Sequence, residues 1–330
     1  MMQERVSYLL IDIFSNLEPE PVTKYLPFLN GIYSTAPGLS PLTKTAPGEP
    51  SLVFTINDGY DHALANKQVC RDEDIHKYYC EARLDTTTLH HVNHYIAGTL
   101  AKEHPQHFEL QQLNDTHVLL NRKTGKQICW NDQGLAEGTP YLSTFDALCS
   151  QVQEDIAVFQ LREQDDWLAA IHLCAPNHWD PREKIGRPFH HIHAPVPGMD
   201  RTLKHYPTML STIVSRGAFT RFAWGIATDT RLNHHPIAPE KVDHDFWYGR
   251  KAEKEQPRFY VRTERQNLVG FREVNAFLFT IHTYFYDVDS LTPEEKKQLL
   301  LAIQSMSPAT LAYKGLANSK PVLEAVLSRA

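Results

Sequence analysis

The chain contains 330 residues, of which 42% are hydrophobic and 22% are charged. This composition supports a large buried core and excludes an intrinsically disordered protein. The net charge of −6 lacks the basic surplus that is typical of nucleic-acid binding, so we expect neither DNA nor RNA as a partner.

The cysteines and the apolar segments indicate the cellular compartment. The five cysteines are widely spaced and form no CxxC pair, which argues against a disulfide framework and against a cysteine-rich zinc or iron–sulfur site. The first twenty residues carry one short apolar stretch that Asp12 interrupts, a pattern unlike a signal peptide or a membrane anchor. No later apolar run reaches the roughly 18 residues of a membrane span. We therefore expect a cytoplasmic protein.

The first 144 residues alternate between helical and irregular patterns. Apolar residues recur at helical spacing over 5–15, and seven prolines then punctuate 19–50, which predicts a helix followed by an irregular arm. Asp85 is placed to cap a helix that runs to about residue 100. The turn at 124–126 separates two apolar stretches and predicts a β-hairpin. We expect residues 1–144 to wrap a second unit, residues 145–330.

The second unit shows a different order of elements, with two strands, a helical segment and three more strands. The predicted strands are 156–161, 167–174, 220–228, 258–266 and 277–287, and the predicted helices are 180–186, 203–215, 292–303 and 320–329. This order is typical of a PAS-like antiparallel sheet, whose helices leave one face open for a ligand. The predicted fold class is therefore α+β, with helices at the carboxyl end covering the sheet.

The densest functional signal runs from Pro188 to Gly198, where three histidines precede a PxPG turn. Rigid placement by prolines is what a metal or haem ligand requires. Interpreted as extended backbone, the segment puts His191 and His193 on one face and His190 on the other. A surface loop whose histidines only form hydrogen bonds explains the pattern equally well.

Two other histidine clusters are less specific. His90 and His94 have the i, i+4 spacing of a zinc pair, but the glutamate of the HExxH motif is missing. A helix face with satisfied imidazoles is the favoured interpretation, and a zinc site is the alternative. His234, His235 and His244 lie in a proline-containing loop, where we expect solvent exposure.

The predicted strand at 258–266 is unusually charged, with Arg262 and Glu264 on one face and Arg265 on the other. In a central strand these charges need each other or an anionic ligand as partners, whereas in an edge strand water solvates them. The chain has no GxG pair of glycines, so we expect no dinucleotide or phosphate loop. Any electrons that the protein uses must come from elsewhere.

Six motifs between residues 150 and 316 resemble, in order, the haem-dependent oxidative N-demethylase α-subunit family. They are QVQED at 151–155, Trp179 with KIG at 184–186, IHAPVPG at 192–198, RTERQ at 262–266, FTIHTY at 279–284 and AYKGL at 312–316.

This resemblance implies a PAS-like domain with a pocket for haem b. In the family, haem activates dioxygen to remove a methyl group from a small secondary amine such as dimethylamine, which releases formaldehyde, with tetrahydrofolate as its acceptor. The electrons come from a separate reductase subunit that carries FMN and an iron–sulfur cluster and oxidises NADPH. The implied activity is therefore that of a monooxygenase component, and the implied partners are this reductase, the amine and dioxygen.

The resemblance also assigns roles to residues of this chain. It implies His193 as the axial iron ligand and Arg262 and Arg265 as partners of the haem propionates, because a guanidinium fork matches a carboxylate. Glu264 is the candidate to bind a protonated amine or to relay protons to bound dioxygen.

Aromatic residues and departures from the family pattern complete these expectations. Trp224 and Tyr284 are candidates to line the pocket and to contact a cation through their rings. His282 stands where the family motif has arginine, and 269–275 lacks the usual turn. As a second iron ligand, His282 would block dioxygen, so a haem-binding sensor without turnover is the alternative function.

Overall fold

The computed structural model describes residues 24–44, 51–163, 165–252 and 256–328. The helix predicted over 5–15 lies outside these residues, as does part of the proline-rich arm. Within the described ranges, no helix combines the length and the apolar character needed to cross a membrane. The architecture is α+β with antiparallel sheets, which confirms the predicted fold class at this level.

The described strands form two sheets. The larger has the order β1-β9-β10-β11-β7-β8-β2 and the smaller the order β3-β4-β5-β6. In chain order the strands are β1 (Ser40–Pro41), β2 (Tyr79–Glu81), β3 (Phe108–Leu113), β4 (Thr116–Asn121), β5 (Lys126–Asn131), β6 (Gly134–Leu135), β7 (Asp155–Arg162), β8 (Asp165–His172), β9 (Ala218–Ala227), β10 (Tyr260–Phe271) and β11 (Ala276–Asp287).

Helices cover both faces of the larger sheet. The described α-helices are α1 (Tyr60–Asp74), α2 (Thr86–Glu103), α3 (Thr144–Cys149), α4 (Phe189–His193), α5 (Asp200–Arg216), α6 (His244–Tyr248), α7 (Pro293–Gln304), α8 (Pro308–Tyr313) and α9 (Lys320–Leu327). Short 3₁₀ turns occur at Leu42–Lys44, Ile75–Lys77, Pro181–Glu183, Arg272–Val274 and Val288–Ser290. The predicted cap of α2 is present, because the Asp85 side chain accepts from the Thr88 N–H.

The predicted order of two strands, a helical segment and three strands is confirmed as β7, β8, α4, α5, β9, β10 and β11. The interpretation of 190–193 as extended backbone is wrong. Pro188 precedes the first turn of α4, and the N–H groups of His191 and Ile192 both donate to its carbonyl. The histidines of this segment therefore radiate around a helix axis instead of alternating between two faces.

The central strands of the larger sheet present two faces of different composition. In the register of β9, β10 and β11, Glu264 lies opposite Ala223 and Thr283, whereas Arg265 lies opposite Phe222 and His282. We call the side with Glu264 the His193 face, because α4 and α5 pack there through a cluster that includes Leu268. The side with Arg265 and His282 is the Glu154 face, which residues 25–28, 52–55 and α7 cover.

Both edges of the larger sheet come from the first 144 residues. β1 pairs antiparallel with β9 at one edge, and β2 pairs antiparallel with β8 at the other. The boundary between 144 and 145 stays a prediction, but these short strands complete the sheet that the second unit begins. The two parts of the chain share one hydrogen-bonded layer.

Candidate functional site

His193 lies at the end of α4 and is held in one tautomer. Its Nδ1 lies 2.9 Å from the carbonyl oxygen of Phe189, which can only accept, so Nδ1 carries the proton. The ring stacks on that of Phe189 at 3.9 Å between centroids. The Phe189 N–H in turn donates to Asp166 Oδ2 at 2.6 Å, which fixes the start of the helix.

The surroundings keep His193 neutral. Burial lowers the pKa of His193 to about 4, an effect that the nearby Lys184 and Arg221 strengthen and the Phe189 carbonyl opposes. At neutral pH Nε2 therefore carries a lone pair, and it has no hydrogen-bond partner among the described residues. A neutral imidazole whose other nitrogen donates to a carbonyl is the usual state of a metal-ligating histidine.

A group of cations lies on the same face. Burial lowers the pKa of Lys184 to about 8, although Glu183 and Glu264 raise it, and its ammonium lies 4.1 Å from the Trp179 ring centroid. Arg221 stands on β9 and lies near both His193 and Glu264. Its Nε atom is buried and has no hydrogen-bond partner within the described part of the chain. An unpaired buried donor of this kind fits an anionic ligand.

Lys314 and Arg250 form a second pair of cations near Glu264. Lys314 Nζ donates to the Trp224 carbonyl at 2.7 Å. Burial lowers the pKa of Lys314 to about 8, with Glu264 raising it and Arg250 lowering it further. Arg250 packs against Gly315 so closely that an added Cβ there would lie 2.4 Å from Arg250 Cδ. Gly315, which has a φ of +68°, makes room for the arginine.

Glu264 is held by two neighbours on its own strand. Gln266 Nε2 donates to Glu264 Oε2 at 2.9 Å, and Arg262 Nε lies 3.6 Å from Glu264 Oε1. The terminal nitrogens of Arg262 already donate to the carbonyls of Leu232 and Ala175, at 3.2 and 2.6 Å. The geometry therefore makes Arg262 a residue that positions Glu264, and its guanidinium fork is not open to a propionate.

The other three candidates from the sequence lie on the Glu154 face. Arg265 donates to the Leu52 carbonyl at 2.9 Å. Trp224 packs edge-on against Phe28, at 5.4 Å between centroids, and Tyr284 lies at 5.1 Å from Tyr25. The structure does not bring these side chains together with His193, because a β-strand directs neighbouring residues to opposite faces.

His282 also lies on the Glu154 face. Its Nδ1 is 3.0 Å from Glu154 Oε1, and the same carboxylate oxygen accepts from the Thr55 N–H at 2.7 Å. The hypothesis that His282 is a second ligand to the iron of His193 is therefore wrong, because the sheet separates the two imidazoles. The sensor alternative loses the ligand on which it was based.

The remaining histidine clusters have structural partners. The predicted exposure of His234 and His235 is wrong, since they are 4% and 1% exposed. His234 lies between Asp229 Oδ1 at 2.8 Å and Arg262 Nη1 at 3.2 Å, and the second of these partners lies on a strand outside the loop. His244 is exposed, as expected.

The zinc hypothesis for α2 lacks a complete ligand set. His94 Nδ1 donates to the His90 carbonyl, and His94 Nε2 lies 3.0 Å from His117 Nε2. Over the described ranges, no group of three or more histidine, cysteine or acidic residues is arranged to hold a metal ion. A structural zinc site takes four such ligands and a catalytic one takes three.

Sequence reasoning missed Arg221, Lys184, Lys314 and Arg250. Arg221 had a usable signal, because it is the one charged side chain of the aromatic strand 218–227. Lys184 and Lys314 stand inside the quoted KIG and AYKGL motifs, but their motifs alone do not show that they approach Glu264. The pairing register of the sheet and the position of α8 at the edge of that sheet bring these lysines close to Glu264.

The residues of the His193 face fit a ligand that combines a metal centre with carboxylates. His193 offers a neutral Nε2 for the metal, and Lys184 and Arg221 beside it offer positive charge. Comparison with known families agrees with this chemistry. The sequence profile of the family described as "Haem-dependent oxidative N-demethylase, alpha subunit-like" matches residues 44–324, most of the chain.

Proposed function

Because the chain belongs to the haem-dependent oxidative N-demethylase α-subunit-like family, we propose that it is a haem-dependent oxygenase component that removes a methyl group from a small amine such as dimethylamine. The observation that carries the proposal is the neutral His193, whose Nδ1 is held by the Phe189 carbonyl. The order of strands around α4 and α5 supports a PAS-like domain with its haem pocket on the His193 face.

Different residues on the His193 face would hold different parts of the haem. When bound, haem b supplies an iron centre for the reduction of dioxygen. His193 Nε2 would hold the iron, and the Phe189 carbonyl orients the imidazole and makes Nε2 more basic. Lys184 and Arg221, the cations nearest to His193, would bind the propionates through charge-assisted hydrogen bonds.

Glu264 is the group suited to bind the amine and to move a proton. Arg262 and Gln266 fix its two oxygens, so the carboxylate keeps one orientation on the His193 face. A carboxylate in this position attracts a substrate ammonium and accepts or returns its proton. Glu264 is thus the proposed catalytic residue, and Arg262 is its positioning residue.

The electrons are proposed to come from a separate reductase with FMN and an iron–sulfur cluster that oxidises NADPH. The family match and the lack of a dinucleotide motif in the sequence support this division of labour. Formaldehyde is the proposed second product, with tetrahydrofolate as its acceptor.

A haem titration tests the proposal directly. His193→Ala is expected to weaken haem binding by at least about tenfold and to change the Soret band, because the iron loses its protein ligand. Added imidazole should restore the spectrum. The control is His191→Ala, an exposed neighbour on the same helix, which should bind haem like the wild type. An unchanged spectrum in His193→Ala would refute the assignment.

An activity assay completes the test. Haem-loaded protein with a reductase of this type, NADPH, dioxygen and dimethylamine should release formaldehyde, and Glu264→Gln should reduce the rate by about a hundredfold or more. Absence of formaldehyde across a panel of methylamines would contradict the proposed function.

A further inference from the structure

The His193 face carries more positive charge than a simple amine requires. Lys184, Arg221 and Lys314 each interact electrostatically with Glu264, and Arg250 lies next to Lys314. Over the described residues, none of these four cations has a carboxylate within 4 Å. Half-buried cations without counter-ions are unfavourable, so this surface suits more than one ligand carboxylate.

The four cations form two pairs that differ in whether they lie near His193. Lys184 and Arg221 are the pair that lies near His193. Lys314 and Arg250 lie near each other and do not act on His193. The two propionates of a haem match the first pair, which leaves the second pair without an anion.

Lys314 and Arg250 have more N–H donors than they have hydrogen-bond partners among the described residues. The Lys314 ammonium has three donors and gives one to the Trp224 carbonyl. The Arg250 guanidinium contacts the Tyr248 hydroxyl at 3.4 Å and otherwise lies against Gly315. Arg250 also has a φ of 60°, in the left-handed region that few non-glycine residues adopt. A fork and an ammonium side by side suit one carboxylate.

We propose that the substrate of this site is an N-methylated amino acid, with Glu264 binding the amine and Lys314 and Arg250 binding the carboxylate. This inference rests on the proposed function and names its substrate class. For N-methylglycine, the smallest member, one dioxygen, two electrons and two protons yield glycine, formaldehyde and water. The reductase of the proposed function supplies the electrons, and the methyl carbon is the group oxidised.

Calorimetry on the haem-loaded protein tests the proposal with three matched ligands. N-methylglycine carries the amine and the carboxylate, N-methylglycinamide keeps the shape without the negative charge, and dimethylamine has the amine alone. N-methylglycine is expected to bind at least about tenfold more tightly than the other two, the range for one hydrogen bond to a charged group.

Two variants locate the carboxylate. Lys314→Gln and Arg250→Gln should each weaken N-methylglycine binding by about tenfold without weakening the binding of dimethylamine, because loss of a cation near Glu264 does not disfavour an ammonium there. The control is Lys251→Gln, since Lys251 is exposed and already paired with Asp245 at 2.6 Å. Thermal melting shows whether each variant folds, and Arg250→Gln keeps the test valid if loss of the Trp224 contact unfolds Lys314→Gln.

The outcomes separate this inference from the function on which it rests. Equal affinity for N-methylglycine and N-methylglycinamide overturns the inference, and release of formaldehyde from dimethylamine would then still support the proposed function. If His193→Ala binds haem like the wild type, both proposals fail.

Discussion

The two faces of the central strands use the same residue types in opposite ways. On the Glu154 face, Arg265 donates to a backbone carbonyl, and Glu154 accepts from both His282 and the Thr55 N–H. On the His193 face, Arg221 keeps a buried Nε without a partner in the described structure. Charge alone therefore does not mark the site, since both faces are charged. Unsatisfied polar atoms alone do not mark it either, since Glu154 Oε2 also lacks a partner in the described structure. The better marker is an unpaired buried donor, Arg221 Nε, beside a neutral imidazole.

The largest expected effect comes from matched substitutions of the two arginines. Arg265→Met should lower the free energy of unfolding by about 3 kcal/mol, because the charged hydrogen bonds to the Leu52 carbonyl and to Thr55 Oγ1 are lost. Arg221→Met should leave it unchanged or raise it, because a half-buried cation whose Nε has no partner in the described structure disappears. Urea denaturation measures both, and equal losses would show that the two faces do not differ in this way.

For haem binding, the arginine on the His193 face should matter more than the arginine on the Glu154 face. Arg221→Met is expected to weaken haem binding by about tenfold, the effect of one charge-assisted hydrogen bond to a propionate. Arg216→Met, at an exposed arginine near the end of α5, is the control and should bind haem normally. Wild-type affinity in Arg221→Met would remove the proposed propionate site.

Acidification should destabilise the folded protein through His193, whose imidazole pKa is lowered in the folded state. Burial lowers the pKa of His193 to about 4, from an ordinary value of 6.5 in the unfolded chain. Between these values the unfolded chain binds a proton that the folded protein does not, so acidification favours unfolding. The haem-free wild type should lose more stability between pH 7 and pH 5 than His193→Gln, as measured by urea denaturation at both values. Identical losses would contradict the depressed pKa.

The smallest expected effect appears at alkaline pH and concerns the second pair of cations, Lys314 and Arg250. Burial lowers the pKa of Lys314 to about 8, so its charge is lost as the pH rises through that value. The affinity for N-methylglycine should fall between pH 7 and pH 9, and Lys314→Arg should retain most of it, since arginine stays charged. Calorimetry at the two pH values tests this, and a parallel fall in the variant would assign the titration to another group.

The sequence placed the elements well where side-chain periodicity was strong. The helix predicted at 203–215 is α5, and the five predicted strands correspond to β7 to β11. The five-residue helix α4 was missed because so short a segment shows no period and because prolines at 188 and 195 suggested extended backbone. Strand alternation also predicted that Arg262 and Glu264 lie on the face opposite Arg265.

Contacts between distant parts of the chain could not be predicted in this way. The faces of Trp224 and Tyr284 depend on the register between β9, β10 and β11, which no local pattern fixes. The contact of His234 with Arg262 depends on where β10 passes the loop, and the approach of Lys314 to Glu264 depends on where α8 returns. These long-range contacts are the ones that define the candidate site.

The pairing of β1 and β2 at opposite margins of the larger sheet determines how the protein can be dissected. A fragment trimmed to residues 145–328 would leave β8 and β9 with rows of unpaired amide and carbonyl groups, which is the template on which strands of other molecules add. Such a fragment should aggregate although it keeps His193, Glu264 and the four cations. The amino-terminal part of this chain thus protects the sheet edges against the addition of strands from other molecules.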